Sequence, residues 1–348
     1  MTASARQDPA ARARRAVLDH LVGLVARSPL ADFLVLRGSM VMPAWVGAAA
    51  REPGDLDWIV PPSLGVPIEP LHPYPYVDEL ATVQQWPEAA DGAARPEIWT
   101  DEEFGTGGQR AHVPPEGLHW IVDPRPDSSD GPPGELLALV RAHPDAAPGV
   151  RIDAEGARED GGWAYAAYDT PGVRLVVPWH AEGLPPGEVS LDFARDERLP
   201  EAPVLTAVPR GDGGPPAVLL TASRALSLAW KLLWLQADAA AGRARGKDLY
   251  DAVLLAEAPG ITLSPRLLRR VTARGTGHPA SASRLAGVAP HRVDWDAFRA
   301  AHPEVAGTAA QWLARLSRAL DGAVAPRHPQ GRPVRETAGR RAAPDRGP

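Results

Sequence analysis

Asp55 and Asp57 stand two residues apart in the run Asp55-Leu56-Asp57-Trp58-Ile59-Val60, whose alternation of polar and apolar residues predicts a strand. Side chains two apart on a strand point to the same face, so the two carboxylates are set side by side. Adjacent acids repel unless a cation sits between them, and an all-oxygen donor set suits Mg²⁺ or Mn²⁺. A third acid, Asp192, lies on the alternating segment Glu188-Val189-Ser190-Leu191-Asp192-Phe193, with Glu188 and Asp196 as its competitors. Three carboxylates on neighbouring strands can clamp two metal ions, one polarising an attacking hydroxyl and the other steadying a leaving pyrophosphate. Alone, a pair of strand acids is more often a solvated sheet edge. Its neighbours decide.

Upstream, Phe33 to Leu36 is a short apolar run closed by Gly38-Ser39 and followed by the apolar stretch Met40 to Val46. This predicts strand, tight turn and helix, a setting in which glycine allows close backbone approach and free N–H groups suit a phosphate. The Ser39 hydroxyl adds a donor. Downstream, Lys231 falls among Trp230, Leu233 and Trp234, and Lys247, Asp248 and Asp251 open a later helix. Of the 37 basic residues only Lys231 and Lys247 are lysine. A compact, pivoting ammonium differs from arginine's planar fork, so these two positions are candidates for phosphate chemistry. The competing local reading makes Lys231 a snorkelling surface residue and Lys247–Asp251 an ordinary i,i+4 pair.

The elements that must position these residues are legible in outline. Residues 10–27 predict an amphipathic helix, with Val17, Leu18, Leu21, Val22 and Val25 at helical spacing. Residues 61–172 are rich in turn formers and read as an irregular insertion, with short strands near Ile98, at 118–122 and at 163–168 and a helix at 135–142. Strands are expected at 173–178, 187–193, 202–208 and 217–220. From Thr221 the pattern turns helical: 224–240 capped by Thr221 or Ser223, then 247–256, 264–273 and 294–320. The organisation expected is a core over 10–220, a helical C-terminal domain over 221–322 and a disordered Pro/Arg-rich tail over 323–348.

The bulk numbers exclude several classes. There is no cysteine, hence no disulfide, thiolate nucleophile or Cys-ligated zinc. No apolar run is long enough for a membrane span and no secretory signal is evident, so a cytoplasmic protein without membrane contact is expected. A formal charge of −6 argues against a generally basic nucleic-acid coat, though not against one local basic patch.

Together, Leu36-Arg37-Gly38-Ser39, Arg51 four before Asp55-Leu56-Asp57, the later strand acid Asp192, Leu228-Ala229-Trp230-Lys231-Leu232 and Lys247-Asp248-Leu249-Tyr250-Asp251 resemble the nucleotidyltransferase AbiEii/AbiGii toxin family, over roughly residues 15–260. The resemblance implies an α+β fold: a polymerase-β-like nucleotidyltransferase core of mixed sheet and helices with a helical C-terminal domain. It implies an NTP in the cleft between them, with Gly38 and Ser39 at the triphosphate. Asp55, Asp57 and Asp192 would hold Mg²⁺ or Mn²⁺, and Lys231 would neutralise phosphate charge. Lys247 and Asp251 would bind nucleotide, Asp248 would face nucleotide or acceptor, and Arg243 or Arg245 would supply a further cation. The implied activity is transfer of NMP to an acceptor hydroxyl by the toxin of a toxin–antitoxin or phage-defence system. A tRNA acceptor and a cognate antitoxin are the implied partners. A small-molecule nucleotidyltransferase or a non-catalytic NTP-binding protein remains the alternative.

Overall fold

The computed structural model describes residues 8–32, 34–60, 131–165, 170–195, 199–242, 244–272 and 288–323. The expected strands near Ile98 and at 118–122, Asp196, Arg243 and most of the Pro/Arg-rich tail lie outside these residues. Among the described residues no helix is long and apolar enough to cross a membrane.

The chain enters with α1 (Pro9–Ala26), started by the Asp8 side chain accepting from the Ala10 N–H and by Pro9 in the first turn. Then follow β1 (Val35–Arg37), a 3₁₀ turn at Gly38–Met40, α2 (Met42–Val46) and β2 (Leu56–Val60). After α3 (Pro132–Ala142) come seven strands: β3 (Asp145–Ala147), β4 (Val150–Ile152), β5 (Arg158–Tyr165), β6 (Thr170–Ala181), β7 (Gly187–Arg195), β8 (Val204–Val208) and β9 (Ala217–Thr221). The helical half holds α4 (Arg224–Ala240), β10 (Ala244–Arg245), α5 (Gly246–Glu257), α6 (Pro265–Thr272), β11 (Val293–Asp294), α7 (Trp295–Ala301) and α8 (Ala309–Ala323). Ser223 caps α4, its hydroxyl accepting from Leu226 N–H at 3.0 Å.

Among the described residues nine strands form one mixed sheet in the order β3-β4-β6-β7-β2-β1-β9-β8, with β5 also on β6. β2 is parallel to β7 and antiparallel to β1, and β1 is parallel to β9. Mixed sheet and helices agree with the expected α+β class. Within the segment read as an insertion, the helix expected at 135–142 is α3 and the strand expected at 163–168 overlaps β5, while β3 and β4 are additional, and these strands join the sheet. The stretch 294–320 is two helices, not one, interrupted around Pro303 and Gly307 because proline donates no backbone N–H and Gly307 takes φ +97°.

Alternation along the central strands sends side chains to two separate cores. One face carries Leu36, Trp58, Leu191 and Phe193, packed on Val17, Leu18 and Leu21 of α1 and Leu136 of α3. The other carries Val35, Ile59 and Leu220, packed on Leu226, Ala229, Trp230 and Leu233 of α4 and on through α5 to α8. Within the helical half, α5 and α7 approach closely at Gly246, where an added Cβ would lie 2.8 Å from the Asp294 carbonyl and collide with the Phe298 side chain.

Gly246→Ala therefore separates two effects. Helix propensity alone would favour alanine by about 0.5–1 kcal/mol. The clash outweighs this, and thermal denaturation should show a loss of about 1–3 kcal/mol.

Candidate active site

β1, β2, β7 and β6 lie side by side, and one row of charged residues crosses all four. Arg37 is opposite Asp57, Asp57 is in register with Asp192, and Asp192 is opposite Arg174. Residues in register share a face of the sheet, so the row reads cation, anion, anion, cation. Asp55 stands two before Asp57 and joins the same face. Arg37 is 2% exposed, and its guanidinium lies 5.2 Å from the Trp230 ring and 5.8 Å from the Trp234 ring. Those rings stack on each other along α4 with centroids 6.3 Å apart. A weakly hydrated, delocalised cation tolerates such a setting better than an ammonium would. At the other end, Arg174 donates from Nε and Nη2 to the two Asp192 oxygens, each at 2.7 Å.

The turn after β1 is built around Asp57. Gly38 adopts φ +79°, and a Cβ there would run into the Asp57 carboxylate. Only glycine meets both demands. Ser39 is buried and its hydroxyl donates to Asp55 Oδ1 at 3.3 Å, orienting that carboxylate. Asp57 keeps a solvent-reachable edge, yet desolvation pushes its carboxyl up to about 7, with the charges of Asp55 and Asp192 pushing the same way and those of Arg37 and Lys247 opposing. Lys247 stands at the start of α5, near enough for its charge to act on Asp57. Among the described residues no ion pair joins it to Asp251.

A second charged cluster locks the helical half to this part of the sheet. Lys231 Nζ, 7% exposed, donates to Asp248 Oδ1 at 2.7 Å and lies 3.0 Å from Asp251 Oδ2. Asp251, with no exposure, also accepts from Arg51 Nε and Nη2 at 3.2 Å each. The Tyr250 hydroxyl donates to the Ala49 carbonyl at 2.8 Å. Desolvation disfavours the Lys231 ammonium, but Asp248 and Asp251 outweigh it and the pKa rises. Burial likewise opposes ionised Asp251, and Lys231 with Arg51 overcome it, so the pKa falls. Lys231 is therefore no snorkelling surface residue. It is a buried strut whose charge is already matched.

Gly38, Ser39, Asp55, Asp57 and Asp192 thus come together on the central strands β1, β2 and β7 and the turn after β1, with Lys247 at the start of α5, while Lys231, Asp248 and Asp251 form the adjoining strut. Glu188 drops out as third acid, since Arg158 holds both its oxygens at the surface, at 2.8 and 2.9 Å. Arg245 is exposed on β10. Among the described residues no set of three or more acids or histidines is drawn close enough to hold a metal ion. Asp192 is turned to Arg174 instead. The donor chemistry still fits a hard divalent cation: Asp55 and Asp57 offer only oxygen, on one face, with Asp57 carrying an unfavourable buried charge that a cation would relieve. Sequence reading gave no role to Arg37, though it stands in the Leu36-Arg37-Gly38-Ser39 motif, and did not single out Arg174. Arg37 had a signal, being the single charge in an apolar run before glycine; Arg174 had none, because its partner lies across a strand pair. A hollow of about 760 Å³ lined by Gly307, Trp312 and Arg315 lies on α8, and no residue of the row lines it.

Two outcomes follow from the charges. Asp57→Asn should raise the melting temperature of the metal-free protein by a few degrees at pH 8 and barely at pH 4. Its raised pKa makes the fold lose stability between about 3.8 and about 7, a loss complete above that window and absent below it. Lys231→Met should cost about 3–5 kcal/mol in denaturant unfolding at pH 7, because buried Asp248 loses its cation and Asp251 keeps only Arg51. The deficit should shrink as acid protonates them: the contribution of depressed Asp251 is present above the unfolded value and is lost as pH falls through the folded one.

No curated protein matches the chain. Residues 129–327, more than half of the sequence, match the family described as Nucleotidyl transferase AbiEii toxin, Type IV TA system. The match spans Asp192, Arg174 and the whole Lys231–Asp248–Asp251 strut, and it begins after Asp55 and Asp57, whose place in the site rests on the sheet register. The chain belongs to the AbiEii nucleotidyl transferase toxin family.

Proposed function

We propose that this chain transfers a nucleoside monophosphate from an NTP to an acceptor hydroxyl, as the toxin of a toxin–antitoxin pair, on a polymerase-β-like core. The observation that carries the reading is the register placing Asp57 beside Asp192, with Asp55 on the same face and the Gly38 turn folded against the Asp57 carboxylate. Asp55 and Asp57, with Asp192 as the third ligand, would hold Mg²⁺ or Mn²⁺. A divalent cation bound there supplies Lewis-acid stabilisation of the phosphate charge.

This chain's own residues do the remaining work. The Gly38-Ser39 turn, packed against the acids, would meet the phosphates, and Ser39 orients Asp55 through its hydrogen bond. Lys247, at the opening of α5 and near enough for its charge to act on Asp57, is the cation suited to meet the triphosphate. Lys231 supports the site from below: with Arg51 it fixes Asp248 and Asp251, and so fixes the start of α5 that carries Lys247. In the reaction the acceptor oxygen forms a bond to the α-phosphorus as the bond to the bridging oxygen breaks. Pyrophosphate leaves, and the hydroxyl proton passes to a carboxylate of the site or to water. A tRNA 3′ end is the acceptor the family reading suggests, with a cognate antitoxin as protein partner.

Incubation of purified protein with Mg²⁺ or Mn²⁺, each α-labelled NTP and total tRNA should label the RNA. Asp57→Asn should lower the rate at least about 100-fold, and Lys247→Ala about 10–100-fold, while both fold. Undiminished labelling by folded Asp57→Asn would contradict the mechanism. Labelling of a small hydroxyl compound in place of RNA would move the acceptor assignment, and NTP binding without any transfer would contradict catalysis altogether.

A further inference from the structure

Arg174 and Asp192 form a two-pronged ion pair, with both contacts at 2.7 Å. Asp192 is buried on the central strand β7, and Arg174 grips both of its oxygens side-on from β6, the strand on the side away from Asp57. Asp192 and Asp57 are in register across β7 and β2, so like charge drives the two carboxylates apart while Arg174 draws one of them off. Among the described residues the three acids are accordingly not gathered into a metal-holding group. Arg174 has room to yield: its side chain is 33% exposed, at the rim of the row, whereas Arg37 at the other end is buried under Trp230 and Trp234.

Resting on the reading of the acid row as a cation site, we propose that Arg174 is the positioning residue that keeps Asp192 out of that site until a divalent cation displaces it. A side-on fork occupies both oxygens of a carboxylate. For Asp192 to become a ligand, at least one oxygen must leave the fork and turn toward Asp57. The cation thus enters against a resident positive charge, and binding is weakened by the work of breaking the pair. Once released, the Arg174 guanidinium stays at the rim as a positive group beside the phosphates. The device keeps the three acids apart in the resting protein and assembles them only when the cation binds.

The test is Mn²⁺ binding to the full-length protein without nucleotide, read as loss of the free-Mn²⁺ electron paramagnetic resonance signal. Arg174→Gln should tighten binding about tenfold over the wild type. Arg174→Lys, which keeps the charge and loses the fork, should fall between them and carries the test if Arg174→Gln does not fold. In an Asp192→Asn background the Arg174 substitutions should have a much smaller effect, since only the repulsion of the Arg174 charge remains to be removed. Unchanged or weaker Mn²⁺ binding in folded Arg174→Gln, with Asp57→Asn still abolishing wild-type binding, would overturn the role of Arg174 and leave the acid site standing. Mn²⁺ binding indifferent to Asp57→Asn would overturn the acid site and this proposal with it.

Discussion

A charge placed inside a sheet needs an opposite charge within reach, because desolvation is repaid only by close pairing. That constraint organises the centre of this protein. Arg37, Asp57, Asp192 and Arg174 occupy one row on four adjacent strands, so each end of an acid pair is closed by a guanidinium. The row exists only in one register. Leu36, Trp58 and Phe193, the next residues along β1, β2 and β7, face the opposite way and fill the core against α1. A slip of one residue would drive the acids into that core and expose the aromatics. The apolar packing on α1 therefore enforces the alignment of the acids, although no residue of α1 touches them in the row.

The helical half depends on the same principle in a second place. Arg51 and Lys231 face Asp248 and Asp251, two cations against two carboxylates in a buried cluster. This cluster joins the segment before β2 to the first turn of α5, with Tyr250 adding its bond to Ala49. Matched charge in a dry setting contributes less net stability than an apolar substitute would, and what it contributes here is position. It holds α5 against the segment that leads into β2 and its acids Asp55 and Asp57. The acid row and the strut are neighbours through Arg51, which precedes Asp55 by four residues and whose own charge is balanced in part by Asp55.

Local signals were readable in the sequence and long-range pairings were not. Helix α4 was legible end to end because Ser223 caps it and its apolar face repeats at helical spacing. The Gly38 turn and strand β2 were legible from glycine placement and alternation. Strands β3 and β4, three residues each, are too short to show a period, so they were absorbed into an irregular reading. The break between α7 and α8 was overlooked although Pro303 and Gly307 mark it. Lys231 was recognised as important from its rarity, but its partners sit 17 residues and more along the chain, and no local pattern shows that two buried acids await it. Arg174 belongs to the same class: its meaning comes wholly from the strand beside it.

The account rests on Asp55 and Asp57 being the place where a divalent cation binds. Anomalous diffraction from crystals grown with Mn²⁺ and a non-hydrolysable NTP analogue tests this most directly. A manganese peak within bonding distance of both carboxylates, with an Asp192 oxygen turned toward it, is the predicted result. Manganese found only elsewhere, with Asp55 and Asp57 bare and the nucleotide bound, would contradict it.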